Sequence, residues 1–179
     1  AFQKTGQGIA IGKVMELTAR RKDGSEFPME LALSAVEKEG QWQAVGIIRD
    51  ITDRHRAVEA LRESEERSRS VVENAPEAIY VATHGRFQYL NPAALRLFGA
   101  ASDVELLHQP VLERIHPDFR AEIAEGMRQV DELRAPSPPV VQKYLRLDGT
   151  VLSVEGSAVP FIYEGEKGGL VFCRDITAR

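Results

Sequence analysis

The chain is poor in the residues that staple, ligate or span. One cysteine, Cys173, stands in 179 residues, so no disulfide can close within the chain, and a reducing compartment is expected. No apolar run approaches the roughly 18 residues that cross a bilayer. Excess positive charge is lacking too. The 23 Lys and Arg are outnumbered by 27 Asp and Glu, for a net charge of −4, which offers no broad attraction to nucleic acid or to an anionic membrane. The four histidines, His55, His84, His108 and His116, fall without metal-ligand spacing. There is no phosphate-cradling glycine motif and no Ser/His/Asp or Cys/His arrangement. The expectation is a cytoplasmic, non-catalytic module that holds no metal and touches neither nucleic acid nor membrane directly, although a longer parent chain could be anchored elsewhere.

What the chain does have is a repeat at a fixed offset of 125 residues. Arg21, Asp23, Gly24 and Glu30 recur as Arg146, Asp148, Gly149 and Glu155. Glu39-Gly40 recurs as Glu164-Gly165, and Arg49-Asp50-Ile51-Thr52 with Arg54 recurs as Arg174-Asp175-Ile176-Thr177 with Arg179. Fixed spacing without gaps means two copies of one structural unit. Only the second copy has sequence in front of it for a full domain, so the chain is expected to begin inside its first domain. The organisation that follows is 1–52 as the last three strands of one domain, 53–69 as a linker helix, and 70–179 as a complete domain.

Within the first copy, Phe27, Met29, Leu31 and Leu33 alternate with polar or small residues, the period of a half-buried strand. Asp23-Gly24 reads as a type I′ hairpin signal. Glu39-Gly40 marks the next turn, and 44–48 reads as a third, mostly buried strand. The character changes at residue 53. Charged residues then dominate through residue 70, without Gly or Pro, and pairs such as Glu63/Arg67 sit four apart as helix neighbours. Thr52 is expected to cap this helix. Its apolar stripe is thin, Val58 and Leu61 and then Val72, so it pairs with a partner or docks on a domain, the alternative being a solvated connector.

The second copy reads as two short strands (78–81 and 86–90) around a His84-Gly85 turn. Asn91-Pro92 then opens a helix that Gly99 closes. A longer helix over 117–134 carries Phe119, Ile123, Met127 and Val130 on one face, and Pro136, Pro138 and Pro139 end it. Three strands follow, at 141–147, 151–159 and 170–175. The order predicts an α+β fold, a five-stranded antiparallel sheet with helices on one face.

These residues resemble the PAS family. Asn91-Pro92-Ala93-Ala94 with Leu97-Phe98-Gly99 resembles the family's segment after its second strand. Ile115-His116-Pro117-Asp118 resembles the start of its long F helix. Asp148-Gly149-Thr150 resembles its G–H hairpin, and Arg174-Asp175-Ile176-Thr177 its last strand and exit. The resemblance implies a sensory-box and dimerisation module of bacterial two-component signalling proteins, such as histidine kinases or cyclic-di-GMP enzymes. It implies a homodimer, and partners that include other domains of the same parent protein. It further implies that Asp50 with Thr52 and Asp175 with Thr177 tie each terminal strand to its outgoing segment.

Residues 20–31 also resemble the haem-binding PAS domain of rhizobial oxygen-sensor kinases, but no iron-ligand region accompanies that copy. In the complete copy, 117–134 contains no histidine for haem, and 110–115 contains no cysteine for a flavin adduct. No cofactor is therefore expected, although an unknown small ligand is allowed for. The apolar interior between sheet and helices would take it, with Ile79, Val81, Leu95, Phe98, Ile115, Ile123, Met127, Tyr144, Val154 and Phe172 as candidate lining residues. The alternative readings are a filled core and a ligand-free protein-interaction and dimerisation module. In the first copy, Phe27, Met29, Leu31 and Leu33 have no helices to cover them, so packing against a second molecule or poor order is expected there.

Overall fold

The computed structural model describes Gly8 and residues 10–177; the first seven residues, residue 9 and the last two lie outside the described residues. The chain divides into two compact units, Ala1–Glu66 and Arg67–Arg179.

The first unit is a three-stranded antiparallel sheet in the order β1-β2-β3, with β1 Val14–Arg20, β2 Glu26–Lys38 and β3 Gln41–Asp50. Its two hairpins are of different kinds. At Glu39-Gly40 both residues have positive φ, 54° and 74°, as a type I′ turn demands. At Asp23-Gly24 only the glycine does, with φ 89°. There the Gly24 N–H donates to Arg21 O, and the Arg21 N–H to Ser25 O. The Asp-Gly pair therefore closes a longer loop rather than the expected type I′ turn, because the Asp23 carboxylate accepts from the Ser25 N–H at 2.9 Å and holds the loop from within. The third strand is also not buried. Among the described residues of this unit, Val45, Ile47 and Ile48 are exposed.

Helix α1, Thr52–Glu73, runs unbroken for 22 residues and buries none of them. Ion pairs Glu59–Arg62 and Arg62–Glu66 brace its surface at helical spacing. Thr52 is not its cap: the Ile51 carbonyl accepts the first helical bond from the His55 N–H at 3.0 Å, and Asp50 assists from outside. The Asp50 carboxylate accepts from the Thr52 N–H at 2.9 Å, while Thr52 itself is the first helical residue. The helix extends past residue 69 because nothing breaks it before Asn74 and Pro76.

The second unit is a five-stranded antiparallel sheet in the order β5-β4-β8-β7-β6. The strands are β4 Ala78–Thr83, β5 Arg86–Leu90, β6 Ser137–Leu145, β7 Val151–Tyr163 and β8 Glu166–Asp175. Between β5 and β6 lie α2 Pro92–Phe98, three short 3-10 turns and α3 Arg120–Glu132. Helix α2 is fixed at both ends. Asn91 Oδ1 accepts from the Ala94 N–H, Pro92 occupies the first turn, and Gly99 takes φ 71° in a closure completed by Ala100 N–H to Leu95 O. The expected helix over 117–134 is split into a 3-10 turn Pro117–Phe119 and α3. Strand β6 begins at Ser137 rather than 141 and takes in both Pro138 and Pro139. It is an edge strand whose strand partner is β7, Ile115 bridging Tyr144 only near its far end, and its register slips between Ser137 and Val140, so the missing N–H groups are tolerated.

The 125-residue offset holds in three dimensions. β2 and β7, and β3 and β8, have bounds that correspond residue for residue across it. Ile51 N–H donates to Pro28 O at 3.1 Å, and Ile176 N–H to Ser153 O at 2.9 Å. The two copies differ in cover. Ile48 is 62% exposed, whereas its counterpart Cys173 is 1% exposed beneath the helices of the second unit.

Candidate functional site

The core of the second unit gathers on the helical face of its sheet. Four rings make its centre. Phe98 stacks on Tyr144 with centroids 5.6 Å apart, and meets Phe87 edge-on at 5.4 Å and Tyr80 at 6.2 Å. Such pairs add to the ~1.5–3 kcal/mol that burying each large apolar side chain contributes.

Beside this cluster, between α3 and the sheet, lies a cavity of about 70 Å³. Its helical wall is Ile123, Gly126, Met127, Val130 and Asp131. Its sheet wall comes from Tyr80 and Ala82 of β4, Val140, Gln142 and Tyr144 of β6, Gly156 and Ala158 of β7, and Gly169 and Val171 of β8. The glycines make the space. A Cβ on Gly156 would lie 2.6 Å from Gln142 Nε2, and one on Gly169 would lie 3.2 Å from Val130 Cγ1.

Of the expected lining residues, the structure brings Ile123, Met127 and Tyr144 to the cavity. Phe98, Ile115 and Val154 are fully buried in the adjoining core, and Leu95 packs against it. Ile79, Val81 and Phe172 are elsewhere. Ile79 pairs with Phe172, and Val81 with Leu170, so this set points to the opposite face from Tyr80, Val171 and Cys173. The correction has a physical cause. All six residues of β4 are buried, so the strand carries no alternation from which to read its inner face. Gln142, Gly156 and Gly169 were not singled out from sequence. A polar residue diagonal to a glycine on paired strands was the available signal, and it is legible only once β6 and β7 are in register.

Polar groups are few and arranged in a line. Tyr80 and Tyr144 hydroxyls lie 3.2 Å apart, and Tyr144 Oη is 3.4 Å from Cys173 Sγ. Burial raises both tyrosines well above their ordinary pKa and pushes the Cys173 thiol up to about 12. Cys173 is therefore a protonated thiol at neutral pH, without thiolate chemistry. Asp131 is also raised, chiefly by burial. Gln142 is buried, and its Oε1 accepts no hydrogen bond within the protein.

At the strand exits the two copies use the same device. Asp50 Oδ1 accepts from the Thr52 N–H at 2.9 Å and its hydroxyl at 2.5 Å, and Arg21 pairs with the same carboxylate. Asp175 Oδ1 accepts from the Thr177 N–H at 2.9 Å. The Thr177 hydroxyl meets the Ser153 N–H at 3.1 Å, tying the exit back to β7. Hydrogen bonds from Thr52 side chain and backbone, with Arg21 behind them, lower Asp50 from the ordinary 3.8 to about 2. The carboxylate form is favoured by the fold, so its contribution is complete above about pH 4 and is lost as pH falls through about 2. A carbon-detected NMR titration should place the Asp50 midpoint near 2, and Thr52→Val should move it up towards 3.8. An unmoved midpoint in that variant would remove Thr52 as the cause.

Among the described residues, no helix is long and apolar enough to cross a membrane, and no three His, Cys, Asp or Glu side chains are grouped to hold a metal ion. His116 serves locally, its Nδ1 accepting from the Asp118 N–H at 3.4 Å.

A five-stranded antiparallel sheet in this order, with helices on one face over an apolar cavity, defines an α+β sensor-type domain. The chain belongs to the PAS family. Residues 66–176 match the family model described as PAS fold, and residues 3–53 match one described as PAS domain. The chain is 25% identical over 173 residues to sporulation kinase A of Bacillus subtilis, covering 97% of this chain and 28% of that protein. It is 33% identical over 92 residues to an uncharacterized protein of Sinorhizobium fredii, covering 51% of this chain and 11% of that one. The chain thus spans less than a third of either curated relative. The PAS domain of an HTR-like protein from Haloarcula marismortui is similar in structure, with a TM-score of 0.55 and 27% identity over 68% of this chain and 99% of that one. The second unit is accordingly a sensory PAS module.

Proposed function

We propose that this chain is the input and relay portion of a longer bacterial signalling protein of the histidine kinase or cyclic-di-GMP type, and that a small molecule in the α3–sheet cavity is its stimulus. The organisation proposed is one complete PAS domain from about residue 70, preceded by the α1 linker and the last three strands of another. One observation carries the reading. The cavity is walled by β7 and β8, and these same strands run to the Asp175-Ile176-Thr177 exit, which is hydrogen-bonded back to Ser153 only three residues from Gly156. A ligand that moves Gly156 or Val171 thereby acts on the exit through continuous strand backbone.

Neither haem nor a covalent flavin is part of this proposal. Freshly purified protein is expected to show no Soret band and no light-bleached flavin peak, and native mass spectrometry should reveal a small bound mass. A chain that carries no ligand from any expression host would favour the second reading instead.

That second reading, a ligand-free homodimerisation module, is favoured by α1, where Val58 and Leu61 are 62% and 61% exposed on an otherwise charged helix. Proline at 61 removes a helical N–H and clashes with the preceding turn, at ~3 kcal/mol or more. If α1 is the dimer contact, Leu61→Pro should convert dimer to monomer in sedimentation velocity; an unchanged association state would exclude α1 from that role.

A further inference from the structure

The cavity's polar chemistry is one-sided. Among the described residues that line it there is one carboxylate, Asp131, and no lysine, arginine or histidine. Gln142, 5% exposed, also lines it, and its Oε1 has no hydrogen-bond partner within the protein. A buried carbonyl oxygen stripped of water and left unpaired is costly. The other buried polar groups nearby are already engaged, since Tyr80, Tyr144 and Cys173 satisfy one another. What the site leaves unmet is therefore the Gln142 acceptor, in an enclosure whose other polar side chains beyond the tyrosines are Asp131, Ser137 and Ser157.

Position and size add to this. Gln142 lies opposite Val154 and next to Gly156 in the β6–β7 ladder. The absence of a Cβ on Gly156 is what allows the amide to lie over that strand, since a methyl there would sit 2.6 Å from Nε2. The volume of about 70 Å³ admits on the order of five non-hydrogen atoms, at ~10–15 Å³ for each water-sized centre. An anion would meet no cation among the described lining residues and would face Asp131, on which Arg134 and His84 already act from outside the lining, so burial of its charge would be poorly compensated.

Resting on the ligand-sensing reading above, we infer that this module selects a small, non-anionic molecule with an apolar body and an O–H or N–H donor, which it recognises by donation to the Gln142 side-chain carbonyl. The class is that of short alcohols and their amine or amide analogues. Carboxylates and phosphates are rejected. Gln142 is the specificity-determining residue, and Gly156 positions it.

The test uses molecules of matched size on the intact chain, followed by amide chemical-shift titration. The probes are 1-butanol, its isomer methyl propyl ether, which accepts but cannot donate, and butyrate. Shifts at Ala82, Val130 and Gly156 are expected with 1-butanol, about tenfold weaker binding with the ether, and none with butyrate. Gln142→Met keeps the length of the side chain and removes its carbonyl, and should make the alcohol and ether equal. Gly156→Ala should do the same by displacing the amide, and it provides the measurement if the first variant does not fold. Equal binding of alcohol and ether by the unaltered chain, discrimination that survives both substitutions, or saturable butyrate binding at the cavity would each overturn donor selection while leaving a ligand site in place. No cavity shift with any probe would overturn the ligand-sensing reading itself.

Discussion

Asn91→Ala is expected to lower the unfolding free energy of the second unit by about 3–5 kcal/mol, a large part of the total stability of a small domain. Asn91 is fully buried. Its Oδ1 accepts from the Ile79 N–H at 2.9 Å and the Ala94 N–H at 2.8 Å, and its Nδ2 donates to Val72 O and Glu77 O, both at 3.0 Å. One side chain thus joins the end of α1, the start of β4 and the cap of α2. Alanine strands two donors and two acceptors together. Denaturant unfolding followed by tyrosine fluorescence, all four tyrosines lying in the second unit, should show a lower midpoint at unchanged slope. Asn91→Asp sharpens the test. It keeps the acceptor but sets a carboxylate against the Val72 and Glu77 carbonyls. Its stability at neutral pH should be nearly as low as that of the alanine variant, and should partly recover in acid, where a protonated carboxyl can donate. A loss below about 1 kcal/mol for Asn91→Ala would mean that these backbone groups find other partners.

Phe98→Ala is expected to cost a similar ~3–5 kcal/mol, by the transfer and cavity terms together. Phe98 is wholly buried, touches the rings of Tyr80, Phe87 and Tyr144, and is backed by the last turn of α2. Leu95→Ala in the same helix is the control. Leu95 only packs against the edge of the core and should cost clearly less. Because Phe98 stacks on Tyr144, and Tyr144 lines the cavity, the alanine variant should also let longer alcohols bind than the unaltered chain accepts. Equal stability losses at 95 and 98 would show that the helix as a whole, rather than the aromatic cluster, carries the packing.

The two substitutions act on features of unlike legibility. Asn91 before Pro92 announces a helix cap in the sequence, because capping is local chemistry between a side chain and the next turn. That the same amide also reaches Val72 and Glu77 is visible only in the fold, since those carbonyls are 19 and 14 residues away. Phe98 reads as apolar at once, but its ring partners come from three separate elements.

The sequence by itself determined the repeat, the hairpin positions, the helix ends at Asn91 and Gly99, and the alternation of β2. Each of these depends on contacts within a few residues or on a strict period of two. The family also follows from the sequence, because its motifs sit in the turns and caps. Tertiary structure decided the rest. Burial on both sides erased the pattern that would have told the two faces of β4 apart, so Tyr80 and Ala82 face the cavity and Ile79 and Val81 do not. Edge placement let β6 keep two prolines. Gln142 became the unpaired group of the site only when β6 was registered against β7 and Gly156 left it room. Asp50 and Asp175 use the same carboxylate–threonine bond at two strand ends, while Ile48, 62% exposed, and Cys173, 1% exposed, show that identical places in a repeat can differ wholly in burial. Local chemistry repeats wherever the residues repeat, whereas cover depends on what the rest of the chain brings over them.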